Sequence, residues 1–178
     1  IISDRLIIGE SLEGHDIWAF KLSDNPDQDE NEPQVLYTGL THAREPLSMM
    51  NLFYFIQNIC ENYAAGDDRE VTYLVNEREL WFIPVVNPDG YIYNELIAPN
   101  GGGMHRKNRR DTGCGSGTEQ GVDINRNYGF NWGENDMGSS PDPCYATFRG
   151  DEAFSEPETR AIWIPLFASP FFANGYPS

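Results

Sequence analysis

Two apolar runs separated by helical sequence limit this chain most. Val35-Leu36-Tyr37 and Leu80-Trp81-Phe82-Ile83-Pro84-Val85-Val86 each read as a strand, the second one buried. Between them, Pro46 suits the first turn of a helix, where its missing N–H does no harm. Residues 47–63 are apolar on most faces, which predicts a helix covered on more than one side. A second helical stretch starts at Gly66-Asp67-Asp68 and continues through Val71, Leu74 and Val75. Strands joined by helices pair in parallel, because such a connection is long enough to cross over. The opening adds a hairpin: Arg5-Leu6-Ile7-Ile8, a turn around Glu13-Gly14-His15, then residues 16–22 with alternating apolar positions. The expected fold is therefore α/β, a mixed parallel/antiparallel sheet flanked by helices.

The remaining stretches read as connections. Residues 23–33 are polar and rich in Pro, Asp and Glu, and the second apolar run closes in a turn at Asn87-Pro88-Asp89-Gly90. Residues 94–155 are Gly-rich and turn-rich, and a loop region of that length inside a compact domain usually carries function. At 178 residues, one domain with a sizeable core is expected. No apolar stretch is long enough to span a membrane, and the first residues carry no signal-peptide pattern. A start at Ile1 rather than Met reads as the interior of a longer precursor or a trimmed end.

A formal charge of −16 argues against nucleic acid or an anionic membrane as partner, since both require a basic face. Against that background Arg106, Lys107, Arg109, Arg110 and Arg126 crowd together, which suggests a small anion site or a solvated loop. Of the three cysteines, Cys60 sits in the apolar helical pattern and reads as a buried thiol. Cys114 and Cys144 lie in Gly/Ser/Pro-rich loops. Paired, they would close a loop worth roughly 3–4 kcal/mol in the chain-entropy model and imply an oxidising compartment. Two free cytosolic thiols are the competing reading.

Thr41-His42-Ala43-Arg44-Glu45-Pro46 places an imidazole and a carboxylate at the end of the first apolar run. A borderline metal such as zinc accepts that nitrogen and oxygen set. The end of a strand turning into a helix is also where ligands sit in α/β sheets. Without a metal, His42 is a surface loop residue and Glu45 a carboxylate at a helix N-terminus. Two further segments, Gly103 to Arg110 and Gly121 to Tyr128, supply arginines and asparagines. Such forks match a carboxylate and would steady a developing oxyanion. Salt bridges to the abundant acids are the alternative for each arginine.

Together these segments resemble the zinc metallocarboxypeptidase family, the group of carboxypeptidases A, B and T. His42-Ala43-Arg44-Glu45 looks like its His-x-x-Glu zinc motif, and residues 84–91 resemble its strand and turn. Arg106-Lys107-Asn108-Arg109 looks like the segment with the oxyanion-stabilising arginine. Residues 121–128 are similar to the segment that holds the substrate's terminal carboxylate. The resemblance implies a Zn2+ cofactor on His42 and Glu45, with Arg106 catalytic. It also implies that Asn125 and Arg126 bind the terminal carboxylate, with Arg44 as a secondary anion contact, and that Cys114 and Cys144 pair. Peptide or protein C-termini would be the substrates and the protein would be secreted. His15 and His105 match no ligand position and are read as structural or surface residues.

The resemblance covers roughly residues 4–162. Its third zinc ligand, a later histidine, is absent, as are its general-base glutamate and mobile tyrosine. Residues 1–162 are thus expected to form the N-terminal part of the catalytic domain and residues 163–178 a divergent Pro/Phe-rich tail. Pro165 and Pro170 are expected to forbid a regular helix there. The expected function is zinc-assisted release of C-terminal amino acids, inactive in this chain alone. Two alternatives remain: a non-catalytic binder of C-terminal carboxylates, and an inert fragment whose uncovered apolar faces favour aggregation.

Overall fold

A computed structural model describes residues 1–115 and 117–168, with side chains through Trp163. The strands β1 (Leu6–Glu10), β2 (Asp16–Leu22), β3 (Gln34–Thr38) and β4 (Glu79–Ile83) form one sheet in the order β1-β2-β4-β3. β1 and β2 are an antiparallel hairpin, β2 runs antiparallel to β4, and β3 lies parallel to β4. The sheet is mixed, as the alternation of runs requires.

Period-two alternation sends neighbouring residues to opposite faces, and both faces are covered. On one, Phe20, Leu22, Leu80 and Phe82 pack with Ile56 and Ile59 of α1 (Pro46–Ala65) and with Val71 and Val75 of α2 (Arg69–Asn76). On the other, Ile17, Ala19 and Ile83 meet Val86, Ile124 and the Ala161-Ile162 pair of α4 (Pro157–Ala168). Helix ends follow local chemistry. The α1 terminus closes on Gly66 in the left-handed conformation, its N–H reaching the carbonyls of Asn62 and Tyr63. The Asp68 side chain caps α2 by accepting from the N–H groups of Glu70 and Val71.

Three expectations need correction. First, α1 is buried on one face only: Leu47, Met50 and Tyr54 are 69%, 53% and 72% exposed. The described sheet offers α1 a single apolar surface, so the opposite side stays in solvent. Second, Asn87-Pro88-Asp89-Gly90, expected as the turn that closes the second apolar run, is the start of α3 (Pro88–Ile97). Asn87 accepts from the Gly90 N–H and Pro88 occupies the first turn, a pattern that nucleates a helix. Third, α4 continues through Pro165 to Ala168. A proline there removes one backbone bond without ending the helix, which is already anchored by its first turns on the sheet. Pro170 and the rest of residues 169–178 lie outside the described residues.

No described helix is long and apolar enough to cross a membrane.

Candidate metal and carboxylate site

The loop after β3 turns sharply at Leu40, which holds a positive φ of 50° and is fully buried. Its N–H donates to Ser48 Oγ, so the first turn of α1 fixes the loop that carries His42 and Glu45. The α3 N-terminus packs against the same loop. A Cβ on Gly90 would sit 2.7 Å from the Ala43 Cβ, so this approach admits only glycine. The Ala43 N–H donates to the carbonyl of Arg106 at 3.1 Å, which joins the histidine loop to the arginine segment.

These contacts bring four side chains together. His42 Nε2 lies 3.1 Å from Asp123 Oδ1, and His42 Nδ1 lies 3.1 Å from Glu45 Oε2. The Arg106 guanidinium donates to Asp123 Oδ2 at 3.0 and 3.3 Å, and also approaches Glu45 Oε1 at 3.5 Å. Asp123 is fully buried. Burial alone would raise its pKa, but hydrogen bonds from His42 and the charge and hydrogen bonds of Arg106 outweigh it and hold the carboxyl below its ordinary value.

The donor set suits a cation. A carboxylate on one imidazole nitrogen fixes the tautomer that frees the other, as second-layer carboxylates do in metal sites. The free Nδ1 and Glu45 Oε2 are then two acceptors facing each other at 3.1 Å, an arrangement a shared cation relieves. That spacing agrees with two ligands each about 2.0–2.2 Å from one zinc ion. Among the described residues, the one group of three metal-ligating side chains is elsewhere, at Glu13, His15 and Asp89. There the Asp89 oxygens already accept from Ser11 Oγ, the Glu13 N–H and the His15 ring, so the group fastens the β1–β2 turn to α3.

Asp123 also organises the neighbouring segment. The Asn125 N–H donates to Asp123 Oδ1 and the Arg126 N–H to its carbonyl, closing a short 3-10 turn at Ile124–Arg126. The Arg126 guanidinium donates to the carbonyls of Gly138 and Asn125 at 2.6 and 3.0 Å, and makes no ion pair among the described residues. Asn125 and Arg126 line an open pocket with Tyr128, Trp132 and Met137. Arg44 is exposed and borders a second cleft, shared with Arg106, Met104 and Tyr145.

Of the sequence-derived candidates, His42, Glu45 and Arg106 are in mutual contact, whereas Asn125 and Arg126 line one pocket and Arg44 borders another with Arg106. The basic cluster as a whole does not converge. Arg109 lies over the Tyr93 ring and pairs with Glu13, Arg110 pairs with Glu156, and Lys107 is buried against the carbonyls of Pro143 and Tyr145. His105 is fully buried, with Nε2 on the Asn108 carbonyl; burial, foremost, pushes its pKa down. Cys114 and Cys144 form a disulfide. Asp123 is the residue that linear reading missed. Its one local signal is the cap it gives the 3-10 turn, and its partner His42 is 81 residues away.

Comparison with known proteins gives the chain's family. The sequence profile described as zinc carboxypeptidase matches residues 2–170. A zinc carboxypeptidase of Saccharothrix mutabilis subsp. capreolus is 44% identical over 71% of this chain and 27% of its own length. An inactive metallocarboxypeptidase, ecm14 of Talaromyces marneffei, is 32% identical over 87% of this chain and 25% of its own. The crystal structure of the carboxypeptidase A from Helicoverpa armigera superposes with a TM-score of 0.72 at 34% identity. That match covers 92% of this chain and 36% of the other. The chain thus spans about a quarter of the length of the curated relatives it matches.

Proposed function

The chain belongs to the zinc carboxypeptidase family, and from that membership we propose that the protein releases C-terminal amino acids from peptides by zinc-assisted hydrolysis. This chain would contribute the half-site described above. The observation carrying the reading is the close approach of His42 Nδ1 and Glu45 Oε2 at 3.1 Å, backed by Asp123 and flanked by Arg106.

In this reading His42 and Glu45 hold the metal, and Asp123 keeps the imidazole in the orientation that presents Nδ1. Bound zinc would supply Lewis-acid polarisation of the scissile carbonyl and lower the pKa of a water. Arg106 turns its guanidinium toward the same point and would donate to the oxygen on which charge develops. Arg126, with its charge unpaired among the described residues, and Asn125 would grip the terminal carboxylate. Arg44 would add a further contact on the Arg106 side of the cleft. Turnover needs a third protein ligand and a general base from outside the described residues. The disulfide supports a secreted protein.

A second reading, a binder of C-terminal carboxylates without turnover, is favoured by relatives named inactive. The test is incubation of the full-length protein with an N-blocked peptide, with and without a zinc chelator. Chelator-sensitive release of single C-terminal residues supports the first reading. Binding of the free-acid peptide without release supports the second. Equal handling of the free-acid and amidated peptides sinks both.

A further inference from the structure

Two buried asparagines stand beside the two site arginines, and both reach the same turn. Asn108, just beyond Arg106, is fully buried and uses every bonding capacity of its amide. Its Oδ1 accepts from the N–H groups of Val122 at 2.8 Å and Arg110 at 3.3 Å. Its Nδ2 donates to Glu156 Oε2 at 2.7 Å, just before α4, and to Glu158 Oε2 at 3.1 Å on its first turn. Asn127, directly after Arg126, is buried to the same degree. Its Oδ1 accepts from the Glu156 N–H at 3.1 Å and from Thr159 Oγ1 at 2.7 Å, and its Nδ2 donates to Ser155 Oγ at 2.8 Å.

We propose that Asn108 and Asn127 are positioning residues that fasten the Arg106 and Arg126 segments to one anchor, residues 155–159 at the start of α4. The spacing between the two arginines is then set by a helix that touches neither guanidinium. What that spacing serves rests on the carboxypeptidase reading; the fastening itself does not.

The chemistry of the anchor fits this role. Two glutamates share one amide nitrogen, and among the described residues only Glu156 has a cation, the Arg110 Nε at 2.7 Å. Glu158 faces Asn108, with Glu156 and Asp89 as its negative neighbours and the Tyr128 phenol nearby, and its Oε1 has no hydrogen-bond partner among the described residues. Burial, foremost, pushes Glu158 up to about 7, so below neutrality it is a carboxylic acid that accepts from Asn108 without adding charge. An aspartate at either asparagine position would lose the donors and bring a further carboxylate to the cluster.

Hydrogen exchange of the Arg106 and Arg126 Nε–H groups at pH 6 in the 178-residue chain reads the fastening, with β2 and β4 amides reporting the fold in the same spectra. Asn108→Ala is expected to speed Arg106 exchange by about tenfold or more, as loss of buried hydrogen bonds would, and Asn127→Ala to do so for Arg126. Glu158→Gln, which keeps the acceptor, should leave both rates unchanged. Rates within about twofold of the parent in both alanine variants, with the sheet still protected, overturn the proposal. If an alanine variant loses the sheet as well, substitutions on the anchor decide. Glu158→Leu should speed Arg106 alone and Thr159→Val should speed Arg126 alone; no rise in either overturns it. Adding N-acetyl-phenylalanine to the unmodified chain separates the two claims: silence at Arg126 counts against the carboxypeptidase reading and leaves the exchange result standing.

Discussion

Arg106 and Arg126 sit on either side of Asp123, yet their surroundings differ in kind. Arg106 is bonded to the buried Asp123 carboxylate and approaches Glu45, so its charge is balanced by acids that also serve His42. Arg126 donates to two carbonyl oxygens and meets no carboxylate among the described residues, at the rim of an open pocket. One guanidinium is pre-aligned as part of a charged centre; the other is ordered but left with charge to spare. Under the proposed carboxypeptidase function, that division would suit one arginine to a transient oxyanion and the other to a permanent anion.

The division can be broken most forcefully at Asp123. Asp123→Ala strands Arg106 and His42, both largely buried, and should cost about 3–5 kcal/mol by chemical denaturation. Arg126→Ala should change stability by no more than about 1 kcal/mol, because it removes no buried pair. Equal losses at the two positions would erase the distinction.

The shared anchor offers the next effect. Glu158 has its pKa raised from an ordinary 4.5 to about 7, so the folded protein binds the proton more tightly than the unfolded chain. Its stabilising contribution is complete below pH 4.5 and is lost as pH rises through about 7. Stability should therefore fall by about 2–3 kcal/mol across that window through this group alone. Glu158→Gln should flatten that part of the profile; an unchanged slope would show the carboxyl ionised in the fold.

The smallest effect separates the arginines by ligand. Arg126→Ala should weaken binding of a free C-terminal carboxylate by about tenfold to a hundredfold, the worth of a charge-assisted bond. Arg106→Ala should weaken it far less, since that guanidinium is already committed to Asp123. Calorimetric titration with an N-blocked dipeptide checks both, and the reverse ranking would exchange the assigned roles.

Much of this was legible in the letters, because it depended on local pattern. The mixed sheet follows from apolar runs joined by a hairpin and by helices, and the loop carrying His42 and Glu45 from a strand running into Pro46. What escaped was set by distance or by competition. Asp123 could not be tied to His42 from linear spacing, because only tertiary contact joins them. The fate of Arg109 and Arg110 was hidden likewise: Glu13 and Glu156 claim them from remote segments. At α1, composition implied cover on more than one side, whereas burial depends on what the described sheet can offer. At Pro165, a local rule against helix gave way to tertiary anchoring of the preceding turns.

The central claim of the proposed function is that the histidine–glutamate loop and the two arginine segments act together on the free end of a polypeptide. NMR titration of the chain with N-acetyl-phenylalanine and with its amide, followed at the His42 ring and the Arg126 and Asn125 side chains, tests it most directly. The account predicts that the free acid shifts all three with one common affinity and that the amide leaves Arg126 and Asn125 unmoved. Equal responses to acid and amide, or movement at Arg126 with none at His42, would contradict it.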